Sequence, residues 1–201
     1  MKQGIHRSYP GDYENDWVLS RALCDEARKN GLIEITRMVN TGDFISLCCD
    51  DLEILVDHLC SRPSITRASL YARVACLIIA ELLDNVPTIT GKKFQNIVGT
   101  LTGEEGLRKF RSITRKFSHI RKAYEANVRK IRNVAIAHRD HDVEAQLTLI
   151  ETLDLGSVIA LTTELMRWHT LFIRFQIKMY RRVIEELRAG RDKGHQTTVS
   201  T

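Results

Sequence analysis

The chain has 201 residues, 43% of them hydrophobic, which is enough apolar volume to bury one sizeable core. No stretch of eighteen uncharged apolar residues occurs and the start lacks an apolar signal core, so a soluble, cytoplasmic protein without membrane contact is predicted. The net charge of +5 permits binding to a polyanion but does not establish it.

The composition favours helices, because the chain has only three prolines and 6% aromatic residues. We predict one all-α domain over residues 13–189. A flexible arm at 1–12 precedes it, and a disordered polar tail at 190–201 follows it.

The five cysteines are an odd number at irregular spacing, which predicts reduced, buried thiols without disulfides. Cys48, Cys49, His58 and Cys60 are an alternative zinc cluster. They bunch on one predicted helix and lack the separated pairs of a structural zinc site, so we assign them to packing and predict no metal or cofactor there.

Apolar residues at helical spacing over residues 17–39 predict one or two helices with a break at Gly31. The sequence Asn40-Thr41-Gly42 predicts a helix stop. Asp43 is placed to cap the next helix, which ends at Cys60.

A very apolar helix opens at Ser64 and is predicted to end at Asn85 and Pro87, in the middle of the bundle. Glu81 and Asp84 are carboxylates on this helix. Each is either at the solvent rim or directed at a basic partner. Residues 88–103 predict a short helix between loops, without the Lys-Ser/Thr of a phosphate-binding P-loop.

Residues 107–139 form a predicted helix that is densely basic, with an apolar stripe marking its buried side. Unpaired like charges repel along a helix, so these cations are either a solvated face or a track for nucleic-acid phosphates. The residues predicted to bind phosphate are Arg121, Lys122, Arg129, Lys130 and Arg139.

The end of this helix carries the residues best suited to chemistry, Arg132, Asn133 and His138. An arginine binds a phosphate through two hydrogen bonds, and a histidine takes up and returns a proton near neutral pH. On an ideal helix the Arg and His side chains are about 120° apart and roughly 9 Å apart along the axis. One substrate meets both only if the helix bends at the His or a second copy faces the first.

Metal binding by His138, Asp140 and His141 is a further alternative for this segment. No distant His or Cys completes a coordination shell, so we predict no metal. The last predicted helix begins at Asp154 or Ser157, has a broad apolar side, and is longer than a compact bundle requires.

The Arg132-Asn133 pair followed by His138 resembles the signature of the HEPN superfamily, and RNVAIAHRD is most similar to its abortive-infection, AbiU-type branch. The resemblance implies a HEPN-like antiparallel helical bundle, here with additional N-terminal helices and a long C-terminal helix. It also implies a homodimer, and an acid from a neighbouring helix, Glu81 or Asp84, facing Arg132.

The function that the resemblance implies is a metal-independent endoribonuclease of a toxin or phage-defence system, cleaving RNA by attack of the 2′-hydroxyl. Arg132 would stabilise charge on the phosphate, His138 would transfer the proton, and Asn133 would orient one of them. RNA is the expected substrate, and an antitoxin or a phage-derived trigger is a candidate partner. The alternative is a non-catalytic helical module that binds RNA, a nucleotide or a protein, and the sequence leaves both open.

Overall fold

The described part of the chain forms five long helices and contains no strand. The computed structural model describes the backbone of residues 12–136, 148 and 154–197, and the side chains of 18–124, 126, 148 and 154–187. The helices are α1 (Asp12–Lys29), α2 (Ile33–Cys60), α3 (Ile65–Ile89), α4 (Lys92–Ile136) and α5 (Leu155–Thr197). The predicted all-α class is confirmed over these residues.

The core is built where α3 and α5 each pack against both α2 and α4, while α1 lies on α2 and α5. Aromatic side chains join α4 to α5: Phe110 contacts Phe175 with ring centroids 5.5 Å apart, and Phe117 contacts Trp168 at 4.6 Å. The later residue on α4 pairs with the earlier one on α5, so the two helices are antiparallel. The indole Nε1 of Trp168 also donates a hydrogen bond to the backbone carbonyl of Ile113 (3.1 Å).

The predicted helix stop at Asn40-Thr41-Gly42 is wrong, because α2 runs through these residues without interruption. Gly42 is buried, and a Cβ at this position would overlap the side-chain amide of Gln176 on α5. The glycine therefore makes room for α5, and this packing outweighs its weak helix propensity. Asp43 does not start a helix either: its carboxylate accepts a hydrogen bond from Ser20 on α1 (2.6 Å).

The boundary between α3 and α4 also differs from the prediction. Pro87 lies inside α3, which continues to Ile89, and the hydroxyl of Thr90 then donates to the carbonyl of Val86 (2.6 Å). Val86 is only 1% exposed, and keeping it packed outweighs one backbone hydrogen bond lost to the proline. α4 begins two residues after Thr90, and within it Gly103 has non-helical angles (φ 69°, ψ −172°) that glycine readily adopts.

α5 starts where the sequence predicts, because Asp154 accepts hydrogen bonds from the Gly156 amide (3.0 Å) and the Ser157 hydroxyl (2.5 Å). Its 43 residues extend to Thr197, so the first eight residues of the predicted tail are helical. Among the described helices, none alone is both long and apolar enough to cross a membrane; α3 and the first part of α4, bent by 63°, meet these criteria only together.

The cysteines are all reduced, and four of the five are buried, whereas Cys60 is exposed, contrary to the prediction. Burial raises the pKa of Cys76 to about 12, so its thiol stays protonated. Within the described ranges, no three His, Cys, Asp or Glu side chains are grouped to hold a metal ion.

The buried His169 makes the stability of the fold depend on pH. Its ring is 2% exposed, its Nε2 lies 3.2 Å from the Ser46 hydroxyl, and burial lowers its pKa from 6.5 to about 4. The unfolded chain therefore takes up a proton between pH 6.5 and 4 that the folded chain does not bind. This stabilisation is fully present above pH 6.5, and about 3 kcal/mol of it should be lost as the pH falls to 4.

The measurement is urea unfolding across this pH range for the wild type and His169→Gln, which cannot titrate. Burial raises the pKa of both Asp43 and Asp50, and this opposes the histidine effect as the pH falls. The difference between the two proteins isolates His169 from these carboxylates. Identical pH slopes in the two proteins would contradict the assignment.

Candidate functional site

Two of the three predicted catalytic residues, Arg132 and Asn133, lie near the C-terminal end of α4. The backbone of Arg132 and Asn133 is helical, four and three residues before the helix ends at Ile136. Their side chains, and His138 entirely, lie outside the described residues. The predicted offset between Arg132 and His138 therefore remains an expectation from ideal helix geometry.

The two candidate supporting acids lie on α3, where Glu81 is exposed and Asp84 is half-buried. Burial raises the pKa of Cys48 on α2 to about 11, and the charges of Glu81 and Asp51 add to this effect. Glu81 thus lies near α2. Whether either acid faces Arg132 stays a prediction, since the arginine side chain is not described.

Of the residues predicted to bind phosphate, Lys122 is exposed and Arg121 is half-buried. Arg129 and Lys130 have helical backbone in α4, and their side chains fall outside the described set. Arg139 lies wholly outside it. Lys122 is therefore the member of this group whose described side chain is most open to a ligand.

A groove of about 950 Å³ opens between α1, α4 and α5. Its apolar lining consists of Val18, Leu19, Ala22, Ile113, Leu171, Phe175 and Ile177. Its polar lining consists of Ser112 and five exposed cations: Lys109, Lys116, Arg174, Lys178 and Arg181. No acidic side chain among the described residues lines it, so its potential favours an anionic ligand.

Helical spacing explains how these cations come together. Lys109 and Lys116 lie seven residues apart on one face of α4. Arg174, Lys178 and Arg181 follow one another at steps of four and three on α5, which also keeps them on one face. The antiparallel packing of α4 on α5 brings the two rows to the same groove.

The three α5 cations were not among the predicted site residues. Their spacing of four and three residues indicates one basic face on α5. This face is less conspicuous in the sequence than the dense charge of α4 and the apolar side of α5. The contribution of α1 to the groove had no comparable signal. In the sequence, Val18, Leu19 and Ala22 look like any apolar helix face. Only the packing of α1 against α5 shows that they line the groove.

The groove and the Arg132 segment lie at different positions along α4. From Lys116 to the backbone of Arg132 is sixteen residues, or about 24 Å of helix. Arg121, five residues after Lys116, is turned about 140° from it on an ideal helix. The groove is therefore a surface separate from the predicted catalytic segment.

These features define an all-helical protein with a cationic groove on one side and an Arg-Asn pair near the end of its basic helix. No protein-family model matches the chain, and neither the curated proteins nor the solved structures include a match.

Proposed function

We propose that the protein is a metal-independent endoribonuclease with a HEPN-like helical fold, of the kind found in toxin and phage-defence systems. The observation that supports it best is the placement of Arg132 and Asn133 in the last turns of a basic helix within an all-helical bundle. The HEPN proteins that the chain resembles carry such an Arg-to-His sequence on an all-helical bundle.

In the proposed mechanism Arg132 binds the scissile phosphate and stabilises the negative charge that develops on its oxygens. His138 removes the proton from the 2′-hydroxyl or gives a proton to the departing 5′-oxygen. The 2′-oxygen forms a bond to phosphorus as the bond to the 5′-oxygen breaks, giving a cyclic phosphate and a 5′-hydroxyl. Asn133 orients one of these groups, and neither step requires a metal ion.

A second part of the proposal is a two-fold homodimer in which the segments carrying Arg132 and His138 face each other. The expected 120° offset of these residues on an ideal helix favours a site shared by two chains. The long α5 supplies additional length for such pairing, since its 43 residues correspond to about 65 Å.

The test is to incubate the purified protein with single-stranded RNA in EDTA. Cleavage to 2′,3′-cyclic phosphate ends is expected, and DNA of the same sequence should stay intact because it lacks the 2′-hydroxyl. Cleavage that disappears on chelation would favour a metal site in the segment from His138 to His141. Intact RNA across varied substrates would favour the non-catalytic binding module.

A further inference from the structure

The lining of the groove between α1, α4 and α5 selects for an amphipathic occupant. More than half of its lining residues are apolar, and Val18 on its α1 side is 68% exposed. Phe175, the aromatic residue among the described lining, is 6% exposed and presents little ring surface for stacking a nucleic-acid base. An occupant with acidic and apolar side chains on one helix face complements both parts of this lining.

The exposed face of α2 has this composition. Leu47 and Ile54 are 53% and 56% exposed and lie two turns apart. Asp50, Asp51 and Asp57 lie beside them at helical spacing, and Asp51 and Asp57 are exposed. We call these five residues the α2 acidic face.

Three acids of the α2 acidic face and four cations of the groove form no ion pair among the described side chains. Burial raises the pKa of Asp50 to about 6, and the neighbouring charges of Glu53 and Asp51 add to this effect. None of the following side chains forms an ion pair with another described residue: Asp50, Asp51, Asp57, Lys109, Lys116, Lys178 and Arg181. A contact between the two surfaces would relieve like-charge repulsion on each.

The charged rows also have matching lengths. Seven residues, or about 10.5 Å of helix, separate the members of each of these pairs: Lys109 and Lys116, Arg174 and Arg181, Asp50 and Asp57. The same spacing separates Leu47 from Ile54. A helix laid along the groove can therefore align its acids with the cations and its apolar residues with Val18 and Leu19.

We propose that the groove receives the α2 acidic face of a second copy of this chain. The contact joins different surfaces of the two copies, so it is distinct from the two-fold pairing proposed for Arg132 and His138. It holds whether or not the protein cleaves RNA.

The experiment is sedimentation equilibrium of nuclease-treated protein over a range of concentrations at low and high salt. The wild type should form species of higher mass at low salt than at high salt, because the contact is largely electrostatic. Lys178→Glu/Arg181→Glu places two acids among the three remaining cations of the groove, and Asp51→Lys/Asp57→Lys makes the α2 face basic. Each variant alone should associate at least about tenfold more weakly.

Mixing the two variants is the decisive measurement, because the unaltered α2 acidic face of the first variant then meets the unaltered groove of the second. Association should return in the mixture, while circular dichroism checks that both variants are folded. The matched control, Arg108→Glu/Arg115→Glu, reverses two exposed α4 cations outside the groove and should associate like the wild type.

Three results would overturn the proposal. One is a wild type whose mass does not change with concentration at low salt. Another is a mixture of the two variants that stays as weakly associated as its components. The third is association that appears only when RNA is added, which would assign the groove to nucleic acid.

Discussion

Replacing His138 by alanine is expected to lower the rate of RNA cleavage by about 10²–10⁴-fold, the usual contribution of a general acid or base. The imidazole is the group proposed to move the proton during attack of the 2′-hydroxyl. Its loss should leave binding of RNA nearly unchanged, because Arg132 and the other cations remain. Single-turnover cleavage and fluorescence anisotropy with the same RNA separate these two effects.

His119→Ala is the matched control, since His119 is an exposed histidine on the same helix, α4. It should cleave RNA at the wild-type rate. Circular dichroism and urea unfolding should show the same fold and stability for both variants. A His138→Ala protein that cleaves RNA as fast as the wild type would remove His138 from the mechanism.

The largest expected loss of stability is that of Trp168→Ala, about 3–5 kcal/mol. Trp168 is 2% exposed and lies between Phe117 and Phe172, with ring centroids 4.6 and 5.5 Å away. Alanine would leave a cavity between α4 and α5 and would remove the hydrogen bond to the Ile113 carbonyl. The measurement is the midpoint and slope of urea unfolding.

Two further substitutions show whether this loss comes from packing. Trp168→Phe removes the N–H donor but keeps an aromatic ring in the core. Because the ring is retained, this variant should lose much less stability than the alanine variant. Ile65→Ala removes a side chain that is 85% exposed and should stay within about 0.5 kcal/mol of the wild type. An alanine variant at Trp168 as stable as Ile65→Ala would show that the α4–α5 contact contributes little.

The helices that the sequence predicts well are those whose apolar spacing is a local property. The apolar stripe of the basic helix is predicted to face inward, and Ile113 and Phe117, which belong to this stripe, are buried. The start of α5 at Asp154 is also predictable from the sequence, because a helix cap depends on residues only two or three positions away. The helical conformation at Gly42 cannot be predicted locally, because its environment is set by Gln176, which lies far away in the sequence.

The candidate site is likewise predictable where it depends on residues close in sequence, and not where it depends on how the helices meet. The sequence singled out Arg132, Asn133 and His138 by their chemistry and spacing, but their mutual arrangement depends on the end of α4 and on any second chain. The groove could not be predicted, since it needs α1, α4 and α5 to meet. Lys178 and Arg181 become site residues only when Lys109 and Lys116 lie across from them.

The break at Gly103 divides α4 into two helical segments, which contact each other through Phe94 and Phe110 with ring centroids 5.2 Å apart. In an uninterrupted helix, adding or deleting one residue turns everything beyond it by about 100°. The non-helical angles of Gly103 can absorb such a change before it reaches the basic half, where Phe110 and Phe117 are anchored against α5. Any such change would still have to leave Phe94 packed against Phe110 and Val98 in the core, since both side chains are buried.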